Sequence, residues 1–123
     1  MKLTKGNYIK QKGYPEIYTI DAIMRDNSII GKNIVEPHLY RTIKESSLEG
    51  VKITTDRLID LGFEEYDEDY IKNNFFIYKS SDKWIVNISG AGDQDLNVYN
   101  KEYIHELQEL FSAIENECLT FKK

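Results

Sequence analysis

The chain has 123 residues, 41% of them apolar and 30% charged, and carries a net charge of −5. That length suits one ordinary domain or two very small ones, and that balance excludes an intrinsically disordered chain. The acidic total argues against a broadly positive nucleic-acid coat, and no apolar run is long enough for a membrane span or a signal-peptide core, so a soluble cytoplasmic protein is expected.

The charge is uneven along the chain. Residues 1–50 hold eight Lys/Arg against six Asp/Glu, whereas residues 51–123 hold eight against fifteen. The first third reads as short strands joined by turns. Gly6-Asn7 marks a turn or bulge between Leu3 and Tyr8-Ile9, and Gln11 to Pro15 is a loop. Glu16 to Met24 alternates, placing Tyr18, Ile20, Ala22 and Met24 on one face of a strand. After Arg25-Asp26-Asn27, two further short strands are expected, at Ser28–Gly31 and Asn33–Glu36. Nine tyrosines suit half-buried strand positions, where the ring packs and the hydroxyl stays wet.

Pro37 marks a break, and His38 to Gly50 has no period beyond one irregular helical turn around Tyr40 to Lys44. Thr54 then predicts an N-cap for a helix over 55–61, with Asp56 in its first turn and Gly62 ending it. Strands follow at Phe63–Tyr66, Phe75–Lys79, Lys83–Ser89 and Leu96–Tyr99. The last helix is predicted over 101–117, capped by Asn100. Tyr103, Ile104, Leu107, Leu110, Phe111 and Ile114 form its apolar stripe, with His105, Glu109, Ser112 and Asn116 opposite. The expected fold class is α+β. A small SH3-like, β-barrel-type part over 1–45 is followed, over 50–123, by a helix, an antiparallel sheet and a long C-terminal helix.

The segment Ile53-Thr54-Thr55-Asp56-Arg57-Leu58-Ile59-Asp60-Leu61-Gly62-Phe63-Glu64 and the segment Tyr103-Ile104-His105-Glu106-Leu107-Gln108-Glu109-Leu110-Phe111 carry a resemblance. Together they resemble a family of small uncharacterised proteins of phages, prophages and mobile elements of the Bacteroidetes, whose members carry LT-x-x-x-L-x-x-LGF and Y-[VI]-H-x-LQ-x-L-[YF] segments. Lys5-Gly6-Asn7-Tyr8-Ile9 is similar to the start of the SH3-like stretch with which members often begin. The resemblance covers residues 50–119 and is loose before them. Glu109 stands where Asn is usual, Asn116 where Gly is usual, and His38 to Ser47 looks like extra sequence. The resemblance implies no activity. It implies a mobile-element setting, in which small acidic proteins often bind and block host machinery.

Two surfaces follow as candidates. Glu64, Glu65, Asp67, Glu68 and Asp69 form an acidic run that would dock a basic partner or imitate a phosphate backbone, against the plainer expectation of a solvated loop. Lys5, Tyr8, Lys10, Lys12 and Tyr14 interleave basic and aromatic residues, a combination that grips single-stranded nucleic acid by charge and stacking. The plainer expectation is a strand face with solvated lysines.

Other features are weaker. Asp93, Asp95 and Asn97 open a calcium-loop pattern that fails at Val98, where Gly is required, and at Ile104, where Glu is required. Gly90-Ala91-Gly92 could approach an anion but lacks the Lys-Ser/Thr of a nucleotide loop. His38 and His105 have no ligand partners in spacing, and His105 is expected on a helix surface. Cys118, the lone cysteine, rules out an internal disulfide and is expected as a small apolar filler at a helix end.

No catalytic or metal motif is present, and no cofactor or membrane partner is expected. The expected function is a non-enzymatic interaction protein of a phage or mobile element, one that binds and inhibits a host protein such as a CRISPR or other defence nuclease. The alternatives are a nucleic-acid-binding accessory protein using the first hairpin and a small-nucleotide binder or enzyme using the glycine loop.

Overall fold

In the computed structural model of the chain, residues 2–89 and 96–122 are described. The chain divides into two compact units, Met1–Val51 and Lys52–Lys123. Among the described residues, two antiparallel five-stranded sheets and two α-helices give an α+β architecture.

Unit 1 holds β1 (Tyr8–Gln11), β2 (Ile17–Ile23), β3 (Ile29–Asn33), β4 (Tyr40–Ile43) and β5 (Leu48–Gly50). One 3-10 turn, Glu45–Ser47, separates the last two. The sheet order is β4-β3-β2-β1-β5, so four strands meander and the fifth returns to the first. Local chemistry starts it. Gly6 takes φ +95°, and the buried Asn7 folds its Oδ1 back to accept from the Thr4 N–H at 2.9 Å. Asn27, at φ 67°, turns β2 into β3. Beside it, the Ser28 hydroxyl and amide donate to Asp26 Oδ1 and hold that carboxyl below its usual range. Ile9, Tyr18, Ile20, Ile29, Ile43 and Leu48 close the core, with Leu3 packed against them.

Three expectations for this unit need correction. The alternation from Glu16 to Met24 breaks at a bulge between Ile20 and Ala22, so Met24 is exposed. The two short strands expected after Asn27 are one, β3, because Asn33 Oδ1 accepts from the amides of Val35 and Glu36 and bends the chain away. The irregular helical turn expected around Tyr40 is the edge strand β4. Only Ile43 of its four residues points inward, which hides the alternation a strand normally displays.

Unit 2 holds α1 (Thr55–Asp60), β6 (Glu64–Tyr66), β7 (Asp69–Lys72), β8 (Phe75–Ser80), β9 (Lys83–Ser89), β10 (Leu96–Lys101) and α2 (Ile104–Glu115). Thr54 caps α1, its Oγ1 accepting from the Arg57 N–H at 3.2 Å. Gly62, at φ +98°, ends the turn, and the Phe63 amide returns to Leu58 O at 3.1 Å. The sheet is a meander in the order β10-β9-β8-β7-β6. Strand β7 was hidden in the sequence by the acidic run before it.

Helix α2 begins three residues later than expected, with Tyr103 as its cap in place of Asn100. Glu106 Oε1 accepts from the amides of Glu102 and Tyr103, closing the reciprocal cap that a Glu at this position provides. Phe111 sits at the centre of the core, 4.8 Å from the Phe75 ring and edge-on to Phe63 at 6.4 Å. The buried face is Ile104, His105, Leu107, Gln108 and Phe111, while Ile114 is exposed. The helix is therefore rotated from the stripe read in sequence, and the cause is the tail. Gln108 Nε2 donates to Leu119 O at 3.0 Å, Leu119 is buried, and the Lys122 amide donates to Asp60 O at 2.7 Å. Cys118, expected as a small apolar filler at a helix end, is exposed on this tail.

Candidate functional site

The acidic run lies on a tight hairpin at the free edge of the unit 2 sheet. Tyr66 pairs with Asp69, leaving Asp67 and Glu68 as the whole connection. Both take left-handed backbone, φ 51° and 73°, the pairing that a two-residue hairpin needs to match strand twist. Asp tolerates that region, whereas Glu does so at a cost of about 1 kcal/mol or more relative to an ordinary φ. Glu64, Glu65, Asp67 and Glu68 are exposed and Asp69 is half-buried. Tyr66, in their midst, is 72% exposed. Among the described residues none of these five carboxylates takes part in an ion pair.

Register sorts the hairpin onto two faces. Glu65 stands opposite Tyr70, whose hydroxyl donates to Glu65 Oε2 at 3.1 Å. Burial, assisted by the Glu65 carboxylate, pushes that phenol above its usual value. Glu64 stands opposite Ile71, Ile71 opposite Phe76, and Phe76 opposite Asn87. This second face is half-buried rather than covered, and Asp69, Phe76, Tyr78, Asn87 and Ser89 line a depression of about 380 Å³ on it. Among the described residues, Asn87 Oδ1 is buried there without a hydrogen-bond partner. An acidic edge thus adjoins an apolar strip carrying an unsatisfied acceptor.

The basic and aromatic residues of the first hairpin differ in accessibility. Tyr8 is buried, so its ring is closed to a stacked base. Lys10 pairs with Glu49 at 3.4 Å. Lys5, Lys12 and Tyr14 are exposed. The residue missed in sequence is Arg41 on β4, whose guanidinium lies 5.5 Å from the Tyr14 ring centroid and donates to Gln11 Oε1 at 2.9 Å. Thirty positions separate Arg41 from Gln11, and no local pattern links them.

No family model, curated protein or solved structure matches this chain.

His38 is exposed, its Nε2 4.0 Å from Glu36 Oε2. His105 departs from the surface position expected of it. It is buried, stacked on Tyr103 with centroids 5.7 Å apart, and among the described residues its Nδ1 has no hydrogen-bond partner. Burial holds its imidazole below the ordinary histidine value, with Glu106 opposing that shift. The glycine loop Gly90-Ala91-Gly92, with Asp93 and Asp95 of the failed calcium pattern, lies outside the described residues, and the side chain of Asn97 is likewise not described. Among the described residues no cluster of His, Cys, Asp or Glu is arranged to hold a metal ion, and no helix is long and apolar enough to cross a membrane.

Proposed function

We propose that the chain is a non-enzymatic interaction protein that docks a basic surface of a host protein through the β6–β7 hairpin. The observation that carries this reading is the hairpin itself, five carboxylates around an exposed Tyr66 on a free sheet edge. Charge on an edge strand also prevents edge-to-edge pairing, which accounts for Glu64 and Glu65. It does not account for an exposed aromatic among the charges, nor for Glu68 at a position that glycine occupies more cheaply. Tyrosine is favoured at binding hot spots, and complementary charge speeds association. The half-buried strip from Ile71 to Phe76 supplies apolar area beside the charge.

The resemblance to mobile-element proteins gives the reading its sharpest form, an inhibitor of a host defence nuclease of the CRISPR type. The hairpin would there occupy a nucleic-acid channel. Within the same reading unit 1 is an SH3-like barrel. Support comes from its five-strand order, the 3-10 turn before the last strand, and the return of β5 to β1.

The test is capture of a partner from host lysate after nuclease treatment. Wild-type chain is compared with a variant in which Glu64, Glu65, Asp67, Glu68 and Asp69 are all changed to Lys. A stoichiometric protein captured by the wild type and lost by the variant supports the reading. Equal capture by both removes the hairpin from it. Capture that vanishes with nuclease moves the function to nucleic acid, where Lys5, Lys12, Tyr14 and Arg41 are the residues to change.

A further inference from the structure

Four lysines of unit 2 line one cavity of about 600 Å³. They arrive from separate segments. Lys52 bridges to Tyr103, Lys79 lies near the end of β8, Lys83 opens β9, and Lys101 closes β10. Register brings two of them together. Lys79 and Lys101 each stand opposite Trp84, one on either side, so strand alternation puts both on the face that carries the indole. Lys79 Nζ lies 5.8 Å from the Trp84 ring centroid, and Lys101 Nζ lies 5.9 Å from that of Tyr99.

The wall behind them is fixed. Trp84 Nε1 donates to Ile53 O at 3.0 Å, and the ring meets Tyr70 edge-on at 6.1 Å. Tyr103 lines the cavity too, backed by the stacked His105. Three carboxylates share the space, Asp82, Glu102 and Glu106. Glu106 is engaged with the backbone amides that cap α2. Among the described residues no ion pair holds any of the four lysines.

Residues 52–123 contain eight Lys/Arg against fifteen Asp/Glu, and half of those cations line this one cavity. Gathered ammonium groups repel one another, and a multivalent anion placed among them turns that repulsion into binding. Lysine is a mobile point charge with three donors, suited to phosphate oxygens that impose no fixed fork geometry. The volume lies within the range of small-molecule sites and exceeds what a lone phosphate would fill. The half-buried Tyr103 on one side offers apolar contact for a planar ring, above the packed floor that Trp84 supplies.

We propose that this cavity binds a nucleoside di- or triphosphate, with its phosphates between Lys79 and Lys101 and its base against the half-buried ring of Tyr103. The site shares no residue with the acidic hairpin and stands or falls separately from partner docking.

The test is calorimetric titration of the full chain with ATP, GTP and inorganic triphosphate, at low and at physiological salt. Two variants accompany the wild type. Lys79→Gln/Lys101→Gln changes the cavity, and Lys5→Gln/Lys12→Gln removes the same charge from unit 1. Saturable nucleotide binding is expected, weakened about tenfold or more by the cavity variant and unchanged by the control, as loss of charge-assisted contacts dictates. Nucleotide binding tighter than that of triphosphate supports the base contact, and equal binding overturns that part and leaves a polyphosphate site. An equal loss in both variants identifies diffuse charge attraction and overturns the site. Absence of saturable binding at low salt overturns the whole proposal.

Discussion

The two charged regions of unit 2 are assembled by different routes. The acidic hairpin is contiguous, six residues of chain whose carboxylates become neighbours because they were neighbours already. The lysine cavity is distributed, with Lys52, Lys79, Lys83 and Lys101 brought together only when three strands fall into register around Trp84. A contiguous charge run can be recognised before folding and survives local disorder. A distributed one exists only in the folded sheet, and its geometry is inherited from the core beneath. Sensitivity to core damage therefore separates the two.

The largest expected effect breaks both together. Phe111 touches Phe75 and Phe63 at the centre of unit 2, and Phe111→Ala should cost about 3–5 kcal/mol. A urea titration followed by Trp84 fluorescence measures it. Nucleotide binding should vanish with the fold, whereas weak, salt-sensitive attraction of the acidic run to a basic peptide should persist.

Next in size is the functional split. Reversing the five hairpin carboxylates should slow association with a basic partner by about tenfold or more at low salt, while exposed substitutions of this kind shift stability by only about 0.5 kcal/mol each. Nucleotide titration of the same variant should be unchanged. A parallel loss of both activities would show that the two regions form one surface.

A smaller effect sharpens the hairpin itself. Asp67→Asn with Glu68→Gly supplies the residues favoured at two successive left-handed positions and should stabilise unit 2 by about 1 kcal/mol. Partner affinity should fall in the same variant. Increased stability with undiminished affinity would assign the tip a purely structural role.

The smallest expected effect concerns the floor behind the cavity. Burial lowers the pKa of His105 in the folded chain, so around the ordinary value of 6.5 the unfolded state binds the extra proton more readily. Its contribution to stability is therefore present above that pH and lost as pH falls through the depressed folded value. Glu106 and Glu109 lessen the shift and Lys101 adds to it. Urea midpoints measured across that range should decline toward acid in the wild type and decline less in His105→Gln.

How much of this could be read in sequence follows from the same distinction. Helix α1 was legible because each of its signals is local, the cap at Thr54, the acid at Asp56 and the stop at Gly62. Helix α2 was legible in length but not in orientation. Gln108 became a core residue because Leu119, eleven positions later, supplied a carbonyl for its amide. Strand β4 escaped because an edge strand that turns one residue inward shows no alternation. Strand β7 escaped because Tyr70 and Ile71 are too short a pattern beside six polar neighbours. The acidic residues were visible as a run, but not as a hairpin with a left-handed tip. Arg41 over Tyr14 and the lysines around Trp84 had no local trace, since cross-strand neighbours are fixed by register rather than by spacing.

The return of β5 onto β1 has a kinetic consequence. Strands β1 to β4 join through short connections, and each hairpin can form as soon as its own residues meet. The pairing of Ile9 with Gly50 instead closes a loop that spans nearly all of unit 1. Closure entropy opposes such a contact until the intervening hairpins have shortened the loop. Substitutions at Leu48 should therefore speed unfolding more than they slow folding, whereas those at Ile20 and Ile29, inside the β2–β3 hairpin, should act on the folding rate. The seam between the first and last strands should therefore be the last part of that sheet to form and the first to open.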